Sequence, residues 1–181
     1  LGARLVINVG GGPVKIDYED GTDASGTSWD AGASYQFSEL VSLRISYVDN
    51  YESSVYLGTV EYESATASLL YAGRSSLETS LFWSEEEYLE EDRKDREYGV
   101  ELSLMIPLAG DLSVNGNFEY AYLKFLPDNE KGDRYDTGVS LVYATRRLTC
   151  SLAYQYRYND SNFDLKDYEN NRVFLSLSLR Y

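Results

Sequence analysis

The chain has no histidine among its 181 residues. Its absence removes the commonest general base and the commonest metal ligand, so chemistry that turns on an imidazole is excluded. The single cysteine, Cys150, cannot close an internal disulfide, and the fold is therefore not a disulfide scaffold in any compartment. Basic residues are scarce: 16 Lys and Arg stand against 30 Asp and Glu, a formal charge of -14 that argues against binding nucleic acid through its phosphates. No apolar run approaches the roughly 18 residues of a membrane-crossing helix. A chain of this kind crosses a bilayer only with strands closed into a barrel.

What is present points the same way. The hydrophobic fraction of 43% is ordinary, but it contains 18 Tyr against 6 Phe and 2 Trp. Tyr suits positions that are apolar at one end and wet at the other, as at a membrane interface. A mean hydropathy of -0.41 is no objection, because half of a barrel's strand residues face inward. The length suits one domain over residues 1–181. The chain begins at Leu1 without a basic and apolar leader, so the expectation is a mature protein after signal removal or a segment of something longer.

The sharpest periodicity closes the chain. Val173, Leu175, Leu177, Leu179 and Tyr181 share one parity, and Arg172, Ser176, Ser178 and Arg180 share the other. This is the period of a strand with two unlike faces. The same alternation recurs upstream in Trp29 to Phe37, Val41 to Tyr47, Leu77 to Trp83, Tyr98 to Leu108, Leu112 to Tyr122, Tyr135 to Tyr143 and Leu148 to Tyr158, and more weakly in Ala65 to Tyr71. In the first twenty residues the apolar parity switches at Gly10-Gly11-Gly12-Pro13. A bulge within one strand is expected there, since a turn would give about eleven strands and single-chain barrels favour even numbers. Turns near residues 38, 73, 110 and 146 are short, and the polar segments near 24, 54, 91, 130 and 163 are long. Both chain ends then fall on the short-turn side. Aromatics gather at strand ends: Trp83, Tyr88, Tyr120, Tyr122, Phe125, Tyr156 and Tyr158 near long segments, and Tyr35, Phe37, Tyr71, Tyr143 and Tyr181 near the other rim. They read as two interfacial girdles.

The terminal strand ends on an aromatic preceded by leucines two, four and six residues earlier, and it resembles the closing strand of bacterial outer-membrane β-barrels. The resemblance implies an assembly signal at Leu175, Leu177, Leu179 and Tyr181, read by the barrel-assembly machinery. It also implies a place in the bacterial outer membrane, in contact with its lipid and lipopolysaccharide. It covers this strand alone and names no activity. A soluble β-sandwich or ligand-carrying barrel would also alternate. The small polar face of Ser, Gly, Ala and Asn, the alternating connections and the Tyr positions weigh against those folds. The expected fold is all-β: a transmembrane antiparallel up-and-down β-barrel of about ten strands with short periplasmic turns and longer outer loops.

For function, the informative set is the inward-parity charges Arg44, Glu78, Glu101, Glu119, Asp136, Arg157, Arg172 and Arg180. They read either as ion pairs filling a small lumen or as a pore lining that selects solutes, and a lumen of about ten strands favours the first. The acidic pairs Glu61 and Glu63, Glu85 and Glu87, and Glu90 and Glu91 lack ligand-loop spacing. Glu85, Glu87, Glu90 and Glu91 carry only a surface-cation hypothesis, and no resident metal or cofactor is expected. Gly10-Gly11-Gly12 lacks the Lys-Ser/Thr of a phosphate loop, and Cys150 has the parity of a small apolar residue facing lipid. The expected function is non-enzymatic, as a narrow channel or as a membrane scaffold for a periplasmic or outer-membrane partner. The alternatives are a surface barrel whose acidic loops bind a cation, glycan or host component, and the C-terminal part of a larger export porin.

Overall fold

The computed structural model describes residues 4–17, 23–54, 58–89, 91–162 and 167–179. Its strands are β1 (Arg4–Asp17), β2 (Asp23–Gln36), β3 (Val41–Ser54), β4 (Gly58–Ala72), β5 (Ser76–Tyr88), β6 (Arg93–Pro107), β7 (Leu112–Leu126), β8 (Glu130–Ala144), β9 (Leu148–Ser161) and β10 (Tyr168–Leu179). They form one ten-stranded sheet in chain order, each strand antiparallel to the next. This is the expected antiparallel up-and-down arrangement of about ten strands. Strands β1 and β10 are its edges among the described residues.

The polarity is inside out. Among the described residues the buried hydrophobics are only Val60, Tyr88 and Ala121, whereas Leu81, Val139, Leu152 and Leu175 are half or more exposed. In water such a surface would be unstable, because it leaves most of the apolar area solvated. Against hydrocarbon it is the favourable arrangement. On β6 the outward residues Tyr98, Val100, Leu102, Leu104 and Ile106 span residues 98–106, close to the roughly 9–11 residues that a tilted transmembrane strand needs.

The apolar band ends in aromatics. Tyr47, Ala65, Trp83, Tyr98 and Tyr122 are successive cross-strand partners on the outer face. A second run pairs Tyr120 with Tyr135 and Tyr135 with Tyr158, with ring centroids 5.0 Å and 6.3 Å apart. Tyr120 sends its hydroxyl away from the band to Asp133, 2.5 Å distant. Beyond the row the outer face turns ionic. Lys94 bridges Glu85 and Glu87 at 2.7 Å each, and Arg96 also pairs with Glu85. Tyr88 and Phe125 do not belong to this outer girdle. They turn to the other face, where the Arg93 guanidinium lies 4.9 Å from the Tyr88 ring centre and 5.9 Å from that of Phe125.

Two expectations about the backbone need correction. First, β1 has no bulge. Its pairing with β2 runs from Arg4↔Gln36 to Asp17↔Asp23 without a skipped residue. The strand count stays at ten, but Val14 and Ile16 now share a face with Asn8 and Gly10. The glycines have another use: a Cβ on Gly11 would come within 2.7 Å of the Trp29 ring, so this position is kept bare beneath an interfacial indole. Second, the long polar segments are mostly strand. Residues 50–54, 85–88 and 93–97 extend β3, β5 and β6 past the aromatic row, and the turn between β5 and β6 is confined to 89–92, where Asp92 has φ 51°. Polarity ruled out a membrane position for these residues but did not stop them pairing, because cross-strand ion pairs support a strand in water. The alternation of long and short reach survives, carried by strand extensions. The short turns at 37–40, 73–75, 108–111 and 145–147 fall where expected, with Gly110 at φ 58° in one of them.

Candidate functional site

The face opposite the apolar band is built from small and polar side chains, and the sheet curls around it. A cavity of about 460 Å³ is lined by residues from β4 to β10, among them Leu70, Glu78, Asn117, Gln155 and Phe174. Seven successive strands enclose a common space only if the sheet is bent toward this side. Arg134 of β8 gives the same sense of curvature. It crosses over β7 to Glu97 of β6 at 2.5 Å while also holding Glu119 of β7 at 2.7 Å.

The register places seven of the eight expected charges on this concave face. One continuous row of cross-strand partners reads Val6, Ser34, Arg44, Ser68, Ser80, Glu101, Glu119, Asp136, Arg157 and Asn170. The adjoining row toward the short turns carries Glu78 on β5 and Arg172 on β10. Arg180, like Tyr181, lies outside the described residues.

Not all seven come together. Asp136 is buried, accepting from Arg157 at 2.5 Å and from Gln155 at 3.1 Å. Glu119 is held by Arg134, a residue absent from the expected set although it has the parity of Asp136. Arg172 donates to Asn170 at 3.3 Å. Arg44, Glu78 and Glu101 form no ion pair among the described residues. Ion pairs on this face thus join β6 to β9, with Arg44, Glu78 and Glu101 outside them among the described residues.

A second cavity, of about 500 Å³, lies toward the strand extensions. Tyr62, Ser64, Thr66 and Ser68 of β4 and Ser80 of β5 line one part of it, and Glu97, Glu101, Glu119 and Arg134 of the adjoining β6 to β8 line the rest. Ser68 and Ser80 bond to each other at 2.8 Å and so tie β4 to β5. Glu78 lines both cavities. The arrangement offers oriented acceptors and hydroxyls to a solute. It presents no nucleophile with an adjacent base.

Two of the four carboxylates expected at a surface-cation loop are engaged in ion pairs. Glu85 and Glu87 share Lys94, Glu91 is exposed, and Glu90 lies outside the described residues. Another acidic group forms instead on the outer face past the aromatics, where one carboxylate oxygen each of Asp49, Glu61 and Glu63 lies within 4.8 Å of the others. Tyr51 donates to Glu61 at 2.9 Å, and this bond pushes its hydroxyl up to about 12. On the edge strand β10, Leu175, Leu177 and Leu179 stand outward and exposed.

Residues 94–181, which span β6 to β10, match the family described as "Putative beta-barrel porin 2". No curated protein matches the chain.

Proposed function

We propose that the chain is a non-enzymatic channel of the bacterial outer membrane, passing small solutes along its concave face. The observation that carries this reading is the pair of cavities, about 460 and 500 Å³, behind a wall whose other face is an apolar band bounded by aromatics. The likeness of β6 to β10 to a porin family supports it. Leu175, Leu177 and Leu179, presented on an edge strand, serve as the contact for the barrel-assembly machinery, and the band contacts membrane lipid, with lipopolysaccharide meeting the ionic zone above the aromatic row.

The test is refolding into detergent and lipid vesicles, with gel mobility compared before and after boiling, followed by single-channel recording. A heat-modifiable species with discrete conductance is expected. A folded, monodisperse protein in plain buffer would overturn the membrane assignment, and a folded barrel without conductance would leave the scaffold role.

A second reading has its own observation: no ladder joins β1 to β10 among the described residues. Unpaired edges are costly in hydrocarbon, so they are joined either to each other or to further strands of a larger barrel. Paired cysteines on β1 and β10, introduced with Cys150 replaced by Ser, distinguish the two. Ready cross-linking in the refolded chain shows a closed ten-stranded barrel, and its absence at every register favours the larger one.

A further inference from the structure

We infer that the cavity bounded by β4 and β8 is a binding subsite for small solutes that carry a protonated amine together with hydroxyl groups. The inference rests on the channel reading and names the solute class for its wider, more polar chamber. Its charge follows from the lining: Glu78, Glu97, Glu101 and Glu119 face one cation, Arg134. That cation is consumed by Glu97 and Glu119, which it holds at 2.5 Å and 2.7 Å. Glu78 and Glu101 face the cavity without an ion pair among the described residues. Glu101 moreover has Glu119 as its direct cross-strand neighbour, an arrangement that is unfavourable until a counter-charge arrives. A protonated amine supplies that charge.

The lining on β4 decides what else the solute carries. Tyr62, Ser64 and Thr66 present hydroxyls that both donate and accept, which matches hydroxyl-bearing solutes and gives a bare metal ion no ordered cage. The volume of about 500 Å³ suits a solute of one or two sugar-sized rings. The neighbouring chamber, with Asn115, Asn117, Gln155, Leu70 and Phe174, holds Glu78 as its one carboxylate. Glu78 is therefore the point at which a cationic solute passes from the acidic chamber to the amide-lined one.

The experiment measures glucosamine, N-acetylglucosamine and glucuronate against the detergent-refolded chain by calorimetry, and in parallel the reversal potential and current blockade in planar bilayers. Wild type is expected to bind glucosamine in preference to the other two and to favour cations over anions. The double variant Glu78→Gln, Glu101→Gln is expected to lose both preferences several-fold, while Glu61→Gln, on the outer face, retains them. All three are first checked for heat-modifiable folding. Conductance without a preference for glucosamine, or a preference unchanged in the double variant, overturns the subsite and leaves the channel standing. Glucosamine binding that depends on Glu78 and Glu101 in a protein that never conducts upholds the subsite and overturns the channel.

Discussion

Arg134 and Glu97 meet at 2.5 Å although their strands, β8 and β6, are not neighbours. The guanidinium crosses β7 and takes Glu119 on the way, so one cation clamps two carboxylates and three strands. Burial opposes charging Arg134 and Glu97 alike; Glu119 first and then Glu97 hold the guanidinium charged, and Arg134 is the group that opposes burial at Glu97. Replacing Arg134 by Met is expected to destabilise the refolded barrel by about 1–3 kcal/mol, the cost of leaving charged groups unsatisfied at a partly exposed site. Adding Glu97→Gln and Glu119→Gln to that variant should restore most of the loss. Urea unfolding in detergent checks both, and an Arg134→Met variant as stable as wild type would show that the clamp contributes nothing.

Neighbouring residues on one strand predict opposite outcomes. Val139 is half exposed on the outer face, and Ser140 lines the inner cavity one residue later. Val139→Arg places a charge against hydrocarbon and is expected to cost about 2–4 kcal/mol near the bilayer midplane. Ser140→Arg should leave stability nearly unchanged and reduce conductance. Folding yield in vesicles, read alongside single-channel current, checks the pair; equal tolerance of both would mean that neither face meets lipid.

Much of this was legible in the sequence, for an identifiable reason. Period-two alternation fixes which side chains share a face, and it assigned Glu101, Glu119, Asp136 and Arg157 to one side without knowledge of the register. It could not say that these residues are cross-strand neighbours in one row, because register depends on where each turn begins. Glu85 to Glu97 offers no apolar alternation, so the sequence shows strand ends meeting in a solvated loop without saying how far the strands reach; Lys94 and Arg96 meet Glu85 across the ladder and hold the strands together. The open edge between β1 and β10 has no local signature, since Leu5, Ile7 and Val9 alternate as well as any interior strand.

Gly99 sits on the concave face opposite Phe82. A Cβ there would come within 2.2 Å of the Phe82 ring and 2.5 Å of the Tyr120 carbonyl oxygen. The ring is the far end of a side chain, whereas the carbonyl belongs to the backbone of the neighbouring strand. Gly99→Ala is therefore expected to destabilise by about 1–3 kcal/mol, an overpacking cost. Phe82→Ala in the same chain should relieve only part of it, and full recovery would place the whole conflict on the ring. Thermal loss of the heat-modifiable band measures both.

The outer-face acids predict a pH dependence whose sign can be worked out. Glu63 lies past the aromatic row, with its carboxyl raised above the ordinary carboxylate range by burial first and then by Asp49, Glu85 and Glu61. A carboxyl whose folded value exceeds its unfolded value binds its proton more tightly when folded. It therefore contributes stability that is fully present below the unfolded value, about 4.3, and lost as pH rises through the folded one. At neutral pH the charged Glu63 faces Asp49, its direct cross-strand partner, and one buried oxygen of Asp49 has no hydrogen-bond partner among the described residues. Glu63→Gln removes the repulsion and can donate to that oxygen. The variant is expected to melt above wild type at pH 7.5 and to converge on it near pH 4, a crossover set by ionisation of the carboxyl. Parallel melting curves at both pH values, with no convergence, would show that Glu63 is already relieved by another group and that the three carboxylates do not repel one another in solution.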